Sequence, residues 1–193
     1  MITGAAVISE YQEYSNKKRV DFILNNYYGI EEYIRCYEEI LCDSIVSDRL
    51  VDRREENGDP GVAIQTSHRS DPTAMMATDR TTVFEKMAET ARTRHISDDL
   101  ELNQDAVTLR TMKRDLGFVN HAIRMLPVHA RSELGKVLSR EKSLDDVADE
   151  KGIQYESAKM YVYRARRKVK KQALEFMDRA CAKKALSWEN EIL

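Results

Sequence analysis

The sequence is poor in the two residues that most often interrupt helices, with 3 prolines and 7 glycines among 193 residues. Charged residues, in contrast, make up 33% of the chain. This composition favours helices, and no stretch of the sequence predicts a strand, an internal repeat or a low-complexity tract. We therefore expect an all-α protein, with a length that allows one or two small domains with their own cores.

The chain also lacks the features of membrane and secreted proteins. It has no run of roughly 18 apolar residues, the minimum for a membrane-spanning helix. The N-terminus has no basic start and soon becomes polar at Ser9, which is not typical of a signal peptide. Cys36, Cys42 and Cys181 form an odd and scattered set. Such a set predicts reduced thiols in a cytosolic protein instead of a disulfide framework.

Residue patterns for catalysis or cofactor binding are missing as well. His68, His95, His121 and His129 have neither the spacing of metal ligands nor neighbouring cysteines. The glycines of residues 57–61 lack the lysine and the strand-to-helix context of a phosphate-binding loop. We therefore expect no enzyme activity, no metal and no cofactor.

Residues 143–171 have the pattern of two helices joined by a glycine turn. Ser143 is typical of a helix N-cap, and the aspartates two and three positions later suit the positive end of the helix dipole. Gly152 stands where the chain must turn sharply. Residues 155–169 then predict a second, strongly basic helix. Together they predict a helix-turn-helix, a motif that places its second helix in the major groove of DNA.

The interior of this helix pair is predicted from spacing. Ala148 is small enough to let the second helix cross closely, and Ile153 is expected to fill the turn. Apolar residues at helical intervals form the buried seam of the second helix, namely Ala158, Val162, Ala165 and Val169. The residues predicted to hold the motif together are Val147, Ala148, Gly152, Ile153, Ala158 and Val162.

The opposite face of the second helix carries the side chains predicted to contact DNA. Glu156 can accept a hydrogen bond from cytosine N4, and Lys159 can donate one to guanine O6 or N7. The predicted base-reading residues are Tyr155, Glu156, Lys159 and Met160, and the predicted phosphate contacts are Arg164, Arg167, Lys168 and Lys171. A basic helix can also be no more than a solvated face, but the capped helix and glycine turn before it favour DNA binding.

The charge distribution agrees with this interpretation. Residues 1–125 contain 16 Lys and Arg and 22 Asp and Glu, a net charge of −6, whereas residues 127–184 contain 15 and 9, a net charge of +6. The positive part coincides with the predicted motif, as phosphate binding requires. The acidic part is better suited to contact protein, or only to keep the chain soluble.

The run from Leu126 to Val169 resembles region four of bacterial sigma factors, the domain that reads the upstream promoter element. The matching residues are Leu126, Pro127, Arg131, Leu134, Ser143, Asp145, Asp146, Val147, Ala148, Gly152, Ile153, Lys159, Arg164, Ala165, Arg166, Arg167, Lys168 and Val169. The match departs at Ala158, where the family usually has a larger aliphatic residue, and at the bulky Tyr155 and Tyr161. The resemblance implies a sigma-like DNA-binding domain.

The whole chain is similar to phage regulators of the RinA and ArpU type. The similarity rests on a helical front half, a central loop that runs into residues 70–74, a long helix and the basic C-terminal module. It implies an activator of phage or prophage late genes in the bacterial cytoplasm, bound to double-stranded DNA of the nucleoid and in contact with RNA polymerase. A homodimer, which would place two recognition helices in successive grooves, is left open.

The same patterns divide the chain into consecutive segments. Helices are expected over residues 5–24, as one helix or a pair, and over 30–54, 73–95 and 99–126. The segments are an N-terminal helical region (1–54), a loop (55–72), a helical middle region (73–125), the sigma region-four-like helix-turn-helix domain (126–184) and a tail (185–193).

Three classes of function remain open. The first is the sigma-like transcription activator. The second is a DNA-packaging adaptor similar to the small subunit of a phage terminase, and the third is a protein-binding module without DNA binding. A complete sigma factor is disfavoured because its melting domain needs exposed aromatic residues on a basic helix. Here the only tryptophan is Trp188, and the tyrosines from Tyr27 to Tyr37 lie in an acidic region.

Overall fold

The structure is a computed structural model that describes residues 6–57, 77–83, 85 and 100–190. Every regular element in these ranges is an α-helix, which confirms the predicted all-α class. The helices are α1 (Ala6–Glu13), α2 (Asn16–Asn25), α3 (Ile30–Asn57), α4 (77–83), α5 (Leu100–Arg124), α6 (Val128–Leu138), α7 (Leu144–Lys151) and α8 (Tyr155–Asn190).

The helix ends follow local capping signals in the sequence. The predicted helix over 5–24 is a pair, because Ser15 caps α2 and accepts a hydrogen bond from the Lys18 N–H. Helix α3 continues to Asn57, three residues beyond its predicted end, because the glutamates at 55 and 56 are compatible with a helix. The rest of the predicted loop and most of the predicted 73–95 helix lie outside the described residues.

Helix α5 has a buried apolar face. On α5 and the turn that follows it, the apolar residues at helical spacing are buried, namely Leu109, Met112, Leu116, Val119, Ile123 and Leu126. Pro127 stands at the N-cap position of α6, so α5 ends before it and a new helix begins after it.

The chain forms two compact units, which do not follow the order of the sequence. Unit 1 contains residues 1–33 and 111–193, and unit 2 contains residues 34–110. The predicted helix-turn-helix therefore belongs to a unit that also includes the N-terminal helices α1 and α2.

A buried charged group lies in the interior of unit 1. Asp115, on α5, is only 1% exposed and accepts a hydrogen bond from the Tyr11 hydroxyl of α1 at 3.1 Å. Arg114 and Arg19 lie 3.3 Å and 3.8 Å from its two oxygens. Burial raises the pKa of the Asp115 carboxyl, although the two arginines oppose this shift. The cluster ties α1, α2 and α5 together through one carboxylate.

Unit 2 has its own small core. Its buried apolar residues come from α3, α4 and α5, and they are Ile34, Leu41, Cys42, Ile45, Val46, Val83, Ala106 and Leu109. Two polar contacts connect the helices around this core. The Tyr37 hydroxyl donates to Asp105 at 3.1 Å, and Arg80 forms an ion pair with Asp43 at 3.4 Å.

Candidate nucleic-acid interface

The start of α7 is fixed by a reciprocal pair of hydrogen bonds. The Asp146 N–H donates to Ser143 Oγ at 3.1 Å, and the Ser143 N–H donates to Asp146 Oδ2 at 2.8 Å. This capping box satisfies two of the N–H groups that a helix start leaves without partners. The hydrogen bond from the Ser143 backbone holds the pKa of the Asp146 carboxyl below its usual range.

The end of α7 is fixed by a glycine in the left-handed conformation. Gly152 has a φ of 61°. Its N–H donates to Asp149 O at 3.1 Å, and the Ile153 N–H donates to Ala148 O at 3.0 Å. This pair of bonds is the Schellman motif, which reverses the chain in a few residues. The short connection brings the start of α8 directly after the end of α7.

Small apolar residues allow α7 and α8 to pack closely. Val147 and Ala158 are fully buried, Ala148 is almost so, and Val137 of α6 packs against these three. The predicted seam of α8 is also buried throughout, at Ala158, Val162, Ala165 and Val169. Ile153 was expected to fill the turn, but it is 37% exposed. Its backbone N–H, and only part of its side chain, supports the turn.

An ionic network holds α6, α7 and α8 together. Lys142 donates a hydrogen bond to Glu150 and lies 3.9 Å from Glu133, while Lys151 lies 3.8 Å from Glu133. The ammonium of Lys151 also lies 4.8 Å from the ring centre of Tyr161. The hydrogen bond between Lys142 and Glu150 raises the pKa of the lysine and lowers the pKa of the glutamate. No local pattern predicts this network, because its members come from four separate segments of the sequence.

All four predicted base-reading residues lie on the exposed side of the first two turns of α8. The carboxylate of Glu156 and the ammonium of Lys159 form an ion pair at 3.5 Å. This pair is open to solvent on both sides, so its contribution to stability is small and both groups remain accessible to a new partner. Tyr155 and Met160 are exposed apolar side chains beside it.

The six cations between positions 164 and 171 divide into two groups. The four predicted phosphate contacts, Arg164, Arg167, Lys168 and Lys171, are exposed. Arg166 and Lys170 are half-buried, and both donate hydrogen bonds to α2, to Asn25 and Asp21 respectively. The predicted set therefore coincides with the cations that point away from the rest of unit 1.

Comparisons of the chain with protein-family models, with curated proteins and with solved structures find no match.

Two exposed tyrosines were not among the predicted site residues. Tyr163 is 56% exposed and lies on α8 one turn after Lys159 and one turn before Arg167. Its helical spacing was a sufficient signal. Tyr28 lies in the turn after α2, and the guanidinium of Arg140 lies 5.4 Å from its ring centre. This second contact joins residues that are distant in the sequence, so no local pattern predicts it.

Among the residues that the structure describes, no group of three or more His, Cys, Asp and Glu side chains is arranged to hold a metal ion. None of the described helices combines the length and the apolar character that crossing a membrane requires.

Proposed function

We propose that this protein is a sequence-specific DNA-binding transcription regulator in which α7 and α8 act as a helix-turn-helix. One observation carries the proposal. The first two turns of α8 present four side chains able to contact bases, and four exposed cations follow on the next turns. A capped helix and a left-handed glycine precede them, as in the motif that inserts its second helix into the major groove.

The N-terminal end of α8 would read base edges. Glu156 would accept a hydrogen bond from cytosine N4, and Lys159 would donate one to guanine O6 or N7. The two side chains therefore match the two bases of one G·C pair, or bases of neighbouring pairs. In the free protein the two side chains form an exposed ion pair, which DNA binding would replace. Tyr155 and Met160 supply apolar contact, for example to a thymine methyl group.

The exposed cations would bind phosphates and set the orientation of α8 on the duplex. Each neutralised phosphate makes binding more dependent on salt, by about 0.9 log unit of affinity per log unit of salt. Four contacts would therefore give a slope near −3.6. Such contacts carry no sequence information, so sequence specificity would depend on the base-reading residues.

The resemblance to sigma region four and to the RinA and ArpU regulators adds finer proposals. The protein would act in the bacterial cytoplasm, without enzyme activity, and would activate phage or prophage genes by contacting RNA polymerase next to a promoter. The acidic region of the chain supports a protein contact of this kind, because it would be repelled by DNA.

Selection of bound genomic fragments tests the proposal. The purified protein is incubated with fragments of its native genome at about 150 mM salt, with and without host RNA polymerase. We expect enrichment of a few intergenic sites, strengthened by the polymerase. Enrichment inside a packaging gene, indifferent to polymerase, would favour a packaging adaptor. No enrichment in either arm would refute DNA reading.

Two substitutions separate base reading from phosphate binding. We expect Lys159→Ala to weaken binding at a matched site by about 1–3 kcal/mol and to relax one base position. Arg167→Ala should weaken all sequences evenly and reduce the salt slope by about 0.9. Lys17→Ala, which removes an exposed lysine from the N-terminal end of α2, is the control and should alter neither quantity. An even loss for Lys159→Ala would exclude it from base reading.

A further inference from the structure

Helix α2 lies antiparallel along α8. Three side-chain contacts define this arrangement, since Asn16, Asp21 and Asn25 bond to Asp178, Lys170 and Arg166 in turn. Residues later in α2 contact residues earlier in α8, closer to its DNA-reading end. The C-terminal end of α2 therefore lies beside the part of α8 that follows the base-reading residues.

Apolar packing, more than ionic contact, holds α2 in this position. Its inner residues Val20, Ile23 and Leu24 are buried, and α2 packs against α8. The ion pair is comparatively open, with 43% of the Asp21 side chain and 25% of the Lys170 side chain exposed. Such pairs contribute little to stability. Removing the Asp21 charge and the Asn25 amide should therefore leave α2 in place and release Lys170 and Arg166.

We propose that α2 withholds Arg166 and Lys170 from DNA and thereby limits the number of phosphates that α8 can neutralise. Asp21 and Asn25 are the positioning residues in this arrangement, and the inference rests on the proposed DNA binding of α8. Asp21 also places a negative charge on this side of α8, where it opposes an approaching phosphate.

The consequence concerns specificity. Phosphate contacts supply nearly all of non-specific binding, whereas base contacts supply discrimination between sequences. Two cations withheld from the DNA phosphates would reduce the salt dependence of the affinity by about 1.8 log units per log unit of salt. The affinity for random DNA would fall without any loss of base contacts, so the ratio of specific to non-specific binding would rise.

The double variant Asp21→Asn/Asn25→Ala tests the inference on the full chain. Binding to a random-sequence duplex is measured over a series of salt concentrations. We expect tighter binding and a salt slope steeper than that of the wild type by up to about 1.8. Adding Arg166→Gln and Lys170→Gln to the double variant should return the slope to the wild-type value. Asn16→Ala removes a contact of the same helix without releasing a cation, and should leave the slope unchanged.

The slope separates positioning from general stability. An unfolded fraction lowers the apparent affinity by a similar factor at every salt concentration, whereas a new phosphate contact changes the slope. In the wild-type background, Arg166→Gln/Lys170→Gln should leave the slope unchanged, and this arm decides the question if the double variant does not fold. A slope lowered by that pair, or no steeper slope in a folded double variant, would overturn the inference. Absence of DNA binding by the wild type would instead refute the proposed function.

Discussion

Gly152 is the residue on which the connection between α7 and α8 depends. Its φ of 61° is easily adopted by glycine, and space for a methyl group is open around its Cα. A Cβ in the left-handed region is unfavourable by about 1–2 kcal/mol. We therefore predict that Gly152→Ala lowers the free energy of unfolding in urea by this amount, through the backbone alone.

Gly117→Ala is the matched control for this change. Gly117 is exposed on α5 and a Cβ there would also meet nothing within 4 Å, but its φ is not positive. Alanine should raise the free energy of unfolding by about 0.5–1 kcal/mol at such a helix position. Equal effects of the two substitutions would show that the α7–α8 turn does not require a left-handed residue.

The Tyr11 hydroxyl is a second position where one atom matters. Tyr11→Phe removes a donor from the buried Asp115 carboxylate. We predict a loss of about 1.5–3 kcal/mol in the free energy of unfolding, because the bond involves a charged and desolvated group. Tyr14→Phe removes a hydroxyl that bonds to the exposed Glu10 and should change stability by less than about 0.5 kcal/mol. Similar losses for both variants would contradict the structure of the cluster.

At the scale of elements, the capping box makes the stability of α7 dependent on pH. The folded-state pKa of Asp146 is lowered, mainly by the hydrogen bond from the Ser143 backbone. The stabilisation is therefore complete above the unfolded-state pKa of about 3.9 and is lost as the pH falls through the lower folded-state value.

We predict that wild type and Asp146→Ala differ in unfolding free energy by a constant amount from pH 7 down to about pH 5, and that this difference shrinks below about pH 4. Urea unfolding at a series of pH values measures it. Asp149→Ala is the control on the same helix, because Asp149 contributes only its backbone carbonyl to the C-terminal turn. Its difference from wild type should show no such decline. A difference for Asp146→Ala that persists at pH 2 would contradict a role for the carboxylate charge.

The sequence predicted those elements whose signals are local. The cap at Ser143, the turn at Gly152 and the buried seam of α8 are encoded within a few residues, and the structure confirms them. Ile153 lies in the turn as predicted, but its side chain is more exposed than expected, because its backbone N–H, and only part of its side chain, supports the turn. The pairing of α2 with α8 was not predicted, since a contact such as Asp21 with Lys170 spans 149 positions.

The candidate site shows the same division. Helical spacing was sufficient to select exposed side chains at positions such as Lys159 and Arg167. It could not distinguish Arg166 and Lys170 by their contacts, because their partners lie on an element at the other end of the sequence. Whether the exposed side chains bind DNA stays a prediction for the experiments described above.

At the scale of the whole molecule, the composition of unit 1 predicts that the C-terminal segment is incomplete by itself. Ala173 and Met177 of α8 are buried, and α2 packs on this helix. We predict that a fragment of residues 126–184 melts at a lower temperature than the full chain and with less cooperativity. A peptide of residues 1–33 should bind a fragment of residues 111–193 and raise its melting temperature.

Ile23→Asp in the peptide is the control, because it places a charge on the buried face of α2. This altered peptide should have no effect on melting. If the 126–184 fragment is as stable as the full chain, the N-terminal helices are dispensable for the fold of the C-terminal segment.

The closure of unit 1 by the two ends of the sequence has a consequence for the order of events at the ribosome. The side chains of Asn16 and Asp178 that meet in the folded protein are separated by 162 positions. At a translation rate of about 5–20 residues per second, roughly 8–30 seconds pass between the synthesis of α2 and that of its partner segment in α8. During that interval the side of α2 that packs on α8 is uncovered, and a truncated messenger RNA that ends before α8 would yield a chain in which α2 lacks this partner helix.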